Sequence, residues 1–158
     1  HEVIRTMTLD ALNGKSLDKQ LVNPIDFVDD AKSFNDELMN ARLKHFTNGK
    51  DLDKNQLFYD RGLPDVIAYM NYFGQTVEER YTNLCIENRY DDVLILPPWK
   101  EIYVQDNERM ENFDQACGIH KHLDNTYKEL GYSPIEVPFG TIENRLQFVV
   151  DFINKAGE

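Results

Sequence analysis

Basic residues are in short supply: 17 Lys and Arg stand against 28 Asp and Glu, a formal net charge of −11 over 158 residues. Phosphate backbones and anionic membrane surfaces call for a basic face, so this balance argues against a nucleic-acid partner and against docking on lipid. The same field repels a nucleotide, and any phosphate site must be local: a few arginines, a helix N-terminus or a bound Mg²⁺. Cysteine is equally sparse. Cys85 and Cys117 make neither a disulfide framework nor a metal set. Each sits beside apolar residues in a helical pattern, and both are expected to be plain buried thiols in a reducing cytoplasm. No apolar run approaches the ~18–20 residues needed to cross a bilayer, and no signal peptide is visible. Internal repeats, linkers and low-complexity segments are missing too, which leaves one domain over residues 1–158 as the expectation.

The composition that is present, 41% hydrophobic and 28% charged, is ordinary for a globular protein. Residues 1–4 resemble the tail of a strand. Asn23-Pro24 supplies an N-cap and a first-turn proline, and the helical spacing of Ile25, Phe27, Val28, Ala31, Phe34, Leu38, Ala41 and Phe46 predicts one long helix over 24–46. Asn48-Gly49 is expected to end it. Further helices are predicted over 65–73, 77–88, 109–130 and 142–155, with Gly131 closing the fourth and Thr141 capping the last. Short apolar runs at 56–60, 93–96 and 135–137 read as strands. Strands separated by helices predict a three-layer α/β fold, a parallel sheet with helices on both faces; the unbroken apolar character of 57–59 and 93–96 suits strands covered on both sides.

In an open parallel sheet, ligands gather at the carboxyl ends of the strands, so the residues at each strand exit are candidates. Asp60-Arg61-Gly62 is the sharpest: an acid at a strand end can hold Mg²⁺ through water or accept a proton from an attacking hydroxyl. The adjacent Arg can pair with phosphate oxygens in a bidentate way. Read blandly, the same residues are a turn with a surface ion pair. Glu2 and Arg5 could hold a substrate hydroxyl and a phosphate, or form an exposed helical pair worth little. Arg109, opening a helix after an irregular stretch, could fold over a nucleotide or be a solvated helix-end charge. Trp99 could stack on a ligand or cap the core. His120 and His122, two apart on a helix, do not face each other, which argues against a metal there. Gly14-Lys15-Ser16 imitates the end of a phosphate loop, but Leu9 occupies the position of its first glycine and no apolar strand precedes it.

The order of elements, with 58–65 (Phe-Tyr-Asp-Arg-Gly-Leu-Pro-Asp), 96–103 (Leu-Pro-Pro-Trp-Lys-Glu-Ile-Tyr) and Asn107-Glu108-Arg109, and the tail from Glu136 to Arg145, resembles the P-loop ATPases of the AAA-domain type. These are similar to nicotinamide-riboside kinases and other nucleoside kinase-like proteins. The resemblance implies a P-loop NTPase, kinase-like fold that binds Mg·ATP. It implies Asp60 as the Mg²⁺-linked acid or base, Arg61 beside it, Glu2 and Arg5 as the acceptor-side pair, Arg109 as a lid arginine and Pro138 beside the adenine. It further implies that the first strand and its Gly-rich phosphate loop, roughly 30–40 residues, lie upstream of His1. In the strand order 2-3-1-4-5 of such folds, the chain would then carry a central slot between 57–59 and 93–96. The expected activity is transfer of the γ-phosphoryl group to water or a small acceptor; a nucleotide-dependent switch with slow hydrolysis, or an inactive scaffold without its phosphate loop, are the alternatives.

Overall fold

The structure is a computed structural model and describes residues 31–103 and 111–156. Helix α1 spans Ala31–Lys50, α2 Leu63–Tyr72, α3 Glu79–Glu87, α4 Phe113–Glu129 and α5 Ile142–Ala156; strands β1 (Leu94–Ile95) and β2 (Ile135–Glu136) flank α4, and Lys100–Ile102 forms a single 3-10 turn. The predicted helices are all found, with shifted ends. The first runs on to Lys50, past Asn48-Gly49; Gly49 packs under the Tyr59 side chain, where a Cβ would meet the hydroxyl, so this glycine serves close packing and not a helix stop. Its expected start at 24, like the strand at 1–4 and Gly14-Lys15-Ser16, lies outside the described residues.

Local chemistry sets the boundaries. Helix α2 opens at Leu63-Pro64, where proline needs no intrahelical donor, and closes on Gly74 in the left-handed region, with Gly74 N donating to Asn71 O and Gln75 N to Met70 O. Helix α4 begins in a full capping box: Gln115 N donates to Asn112 Oδ1 at 2.9 Å and Asn112 N to Gln115 Oε1 at 2.8 Å. Gly131 ends it in the same way as Gly74 ends α2, and Arg89 donates to the freed Leu130 carbonyl at 2.6 Å.

The core joins three helices. Leu38 and Met39 of α1, Leu63, Val66, Ile67 and Met70 of α2, and Tyr81 and Cys85 of α3 form one buried cluster. Helix α4 packs along α2 on another side, burying Ile119 and Tyr127. Cys85 is fully buried as expected, and burial pushes its thiol up to about 12; Cys117 is only half-buried.

Strands β1 and β2 pair in parallel, Leu94 opposite Ile135 and Ile95 opposite Glu136, with α4 as the crossover between them. Such a βαβ unit is what the strand-helix alternation predicts. The run at 56–60, however, forms no strand. A ladder needs a neighbour; the described residues offer none beside it, and Phe58 stands 70% exposed. The described sheet therefore has two strands, short of the predicted three-layer sheet.

Candidate functional site

The turn between 59 and 65 is built by residues from three helices. Arg42 is buried on the inner face of α1, one turn from Leu38 and Phe46, and its Nη1 donates to Gly62 O at 2.8 Å. Burial pushes this guanidinium below the ordinary arginine value, with the charge of Asp65 opposing the shift. Asp65, at the third position of α2, is 6% exposed and accepts two hydrogen bonds on Oδ2, from Gly62 N at 2.8 Å and from the Tyr127 hydroxyl of α4 at 2.7 Å. Leu63 N donates to the Tyr90 hydroxyl at 3.2 Å. Burial, then the Asp65 carboxylate, push the Tyr127 phenol well above its usual value, so it donates to Asp65 at any ordinary pH. The packing is close: a Cβ on Gly62 would lie 2.7 Å from the Tyr127 hydroxyl oxygen and 2.9 Å from a Tyr90 ring carbon.

Arg61, preceding this glycine, has φ = 75°. A branched or long side chain pays for that left-handed conformation, and such strain gathers at functional positions. Its Nη1 donates to the Tyr69 hydroxyl at 3.0 Å and lies 3.8 Å from Asp65 Oδ1, while the guanidinium sits 5.6 Å over the Tyr69 ring. Desolvation works against its charge, but Tyr69 and Asp65 outweigh it and hold the guanidinium protonated beyond the ordinary range. A third of the side chain still meets solvent.

Asp60 and Arg61 line a cleft of about 1170 Å³. Residues 56–62 and 91–99 both line it. At its β1 and β2 exits stand Trp99 and Phe139, stacked with centroids 5.1 Å apart and planes 27° from parallel. Trp99 thus stacks on a ring of its own chain. Pro138 is exposed next to Phe139. Arg145 of α5 also lines the cleft, and its Nε is buried with no hydrogen-bond partner among the described residues. Tyr103 and Glu111, the two ends flanking residues 104–110, are pinned together by a 2.5 Å bond from the Tyr103 hydroxyl to Glu111 O.

Residues 1–145 match the family model of an AAA domain, of the P-loop NTPase clan. The chain belongs to this AAA domain family. No curated protein and no solved structure matches it. The family gives the AAA domain a P-loop NTPase fold and makes it a P-loop nucleotide-binding protein, a class that typically binds nucleotide with Mg²⁺.

Of the residues singled out in sequence, the cleft brings together Asp60, Arg61, Trp99 and His120, with Pro138 adjacent; Glu2, Arg5 and Arg109 lie outside the described residues. His120 comes 3.9 Å from Glu136, while His122 turns edge-on to Tyr72, so the two rings look to different neighbours. Among the described residues no group of three His, Cys, Asp or Glu could hold a metal ion, and no helix is long and apolar enough to cross a membrane. The donor chemistry of the cleft nonetheless suits Mg·ATP: Asp60 brings hard carboxylate oxygens, and Arg61 and Arg145 bring guanidinium donors for phosphate. Sequence reading passed over Asp65, Tyr69, Tyr127 and Arg42. Asp65 had a signal, an acid three residues beyond a turn glycine at a proline-led helix start; Tyr127 and Arg42 had none beyond their place on apolar helix faces.

Proposed function

We propose that this AAA domain binds Mg·ATP at the mouth of the cleft and transfers the γ-phosphoryl group to water or a small acceptor. The observation that carries the reading is the Asp60-Arg61 turn, where an acid and a strained, permanently charged arginine are presented together to the cleft by a buried scaffold. Magnesium arriving with the nucleotide would neutralise phosphate charge. Asp60 would hold it through water or take the proton of an attacking hydroxyl, and Arg61 would pair with phosphate oxygens. Glu2 and Arg5 would form the acceptor side, Arg109 would close over the phosphates, and Pro138 would lie beside the adenine, with the Trp99–Phe139 stack next to it. These roles rest on the resemblance to P-loop and nucleoside kinase-like proteins, and an acceptor pocket lined by Glu2 and Arg5 would favour transfer to a small acceptor over transfer to water.

The test is calorimetric titration of Mg·ATP, followed by turnover, in the protein and in Asp60→Asn. This substitution keeps the shape and removes the charge of an exposed side chain. Turnover should fall by about a hundredfold or more, the scale of a lost acid–base or metal-linked group, with the melting temperature little changed. A variant that keeps most of its turnover would remove Asp60 from the mechanism; a folded protein that binds no Mg·ATP would overturn the reading.

A further inference from the structure

The cleft-facing turn is fixed by groups that do not themselves face a ligand. Arg61 occupies a backbone region that a long side chain avoids, and something must hold it there. The hydrogen bonds of the next residue, Gly62, identify the holder. The Gly62 N–H, which follows Arg61, is taken by Asp65 Oδ2, and the Gly62 C=O is taken by Arg42. Glycine at 62 has no side chain to return the capping bond, so Asp65 alone makes the side-chain half of that cap. Its carboxylate is in turn fixed by the Tyr127 hydroxyl from α4, sixty-two residues away.

We propose that Asp65 is a positioning residue for Arg61: anchored by Tyr127, it clamps the Gly62 amide and thereby keeps the Arg61 backbone left-handed and its guanidinium against Tyr69, facing the cleft. Its second oxygen, 3.8 Å from Arg61 Nη1, gives a charge that favours the same placement without a direct hydrogen bond. The consequence for chemistry rests on the reading that Arg61 meets phosphate. The placement itself does not.

Two variants address it. Asp65→Asn cancels the carboxylate and turns an amide donor toward one of two donors; Tyr127→Phe removes only the anchoring hydroxyl and keeps Asp65 should the first fail to fold. Ile67→Val, in the α1–α3 side of the core, serves as a control for a general loss of stability. The first readout is ¹⁵N relaxation at the Arg61 Nε–Hε, assigned with Arg61→Lys. The order parameter should be that of rigid structure in the natural protein and in Ile67→Val, and should drop below about 0.6 in both variants. An unchanged order parameter in folded Tyr127→Phe and Asp65→Asn would overturn the proposal.

The second readout is Mg·ATP turnover in the same proteins. Loss of positioning predicts kcat falling about tenfold or more while KM moves much less, with Ile67→Val near the natural value. Full kcat in a variant whose Arg61 has lost its order would overturn the consequence for chemistry, the need for a placed Arg61 in turnover, and leave the placement by Asp65 standing. Should the natural protein bind no Mg·ATP, the proposed function fails, and the relaxation data still decide whether Asp65 places Arg61.

Discussion

At the scale of single residues, the turn at 60–65 sets backbone strain against the role proposed for Arg61. The left-handed backbone of Arg61 costs on the order of 1–2 kcal/mol relative to glycine. Against this stand one hydrogen bond to Tyr69 and a cation–ring contact, each worth about 1 kcal/mol at a partly exposed site. Arg61→Gly should therefore unfold within about 1 kcal/mol of the natural protein in urea while losing nearly all turnover. A loss of several kcal/mol would mean that the arginine serves the fold. Much of this turn was legible in sequence: Asp60-Arg61-Gly62 marks itself by an acid, a guanidinium and a glycine after an apolar run. Its anchors were not, because Tyr127 and Arg42 act across 62 and 20 residues of chain, and nothing in local spacing announces which buried phenol or guanidinium reaches which turn.

At the scale of elements, α1 and α3 are tied by a polar clasp above their shared core. Tyr81 donates to Asp36 Oδ1 at 2.5 Å, Arg80 Nη2 reaches the same oxygen at 2.5 Å, and Glu78 bridges Arg80 and Lys32. The Tyr81 hydrogen bond, then Arg80 and Lys32, hold the Asp36 carboxyl below its ordinary 3.8 against a smaller opposing desolvation. A depressed carboxyl stabilises the fold above its unfolded value and loses that contribution as pH falls through the folded one. The natural protein should thus exceed Asp36→Asn by about 1 kcal/mol near neutral pH, the scale of a partly exposed charge-assisted bond. That margin should shrink as pH drops below 3.8. Urea melts of both proteins at neutral pH and at about pH 3 measure it, and a margin that does not change with pH would show that the clasp works without the charge. The helices around this clasp were predictable from period alone, since apolar spacing at 34, 38 and 46 is a local property. The strand expected at 56–60 failed for the opposite reason: an apolar run records what a segment could bury, whereas a strand exists only where a second backbone supplies the ladder.

At the scale of the whole molecule, the charge imbalance and the local site pull in opposite directions. A net charge of −11 repels an anionic nucleotide at long range, while in the proposed site Arg61 and Arg145 would attract phosphate only within a few ångströms of the cleft wall. Salt separates the two ranges. At about 0.01 M ionic strength the Debye length is near 30 Å, larger than the molecule's radius, and the repulsive field reaches the approaching ligand; at about 0.15 M it is near 8 Å and only the site is felt. The association rate of Mg·ATP should therefore rise, by about two- to fivefold, as salt increases over this interval. The dissociation rate, governed by short contacts in a partly desolvated cleft, should change less. Stopped-flow binding at both ionic strengths, followed through the single tryptophan, Trp99, on the cleft wall, measures the two rates. A rate that falls with salt, the usual sign for a basic nucleotide site, would mean that local guanidinium charge dominates even at a distance, and that the acidic surface lies on faces turned away from the cleft.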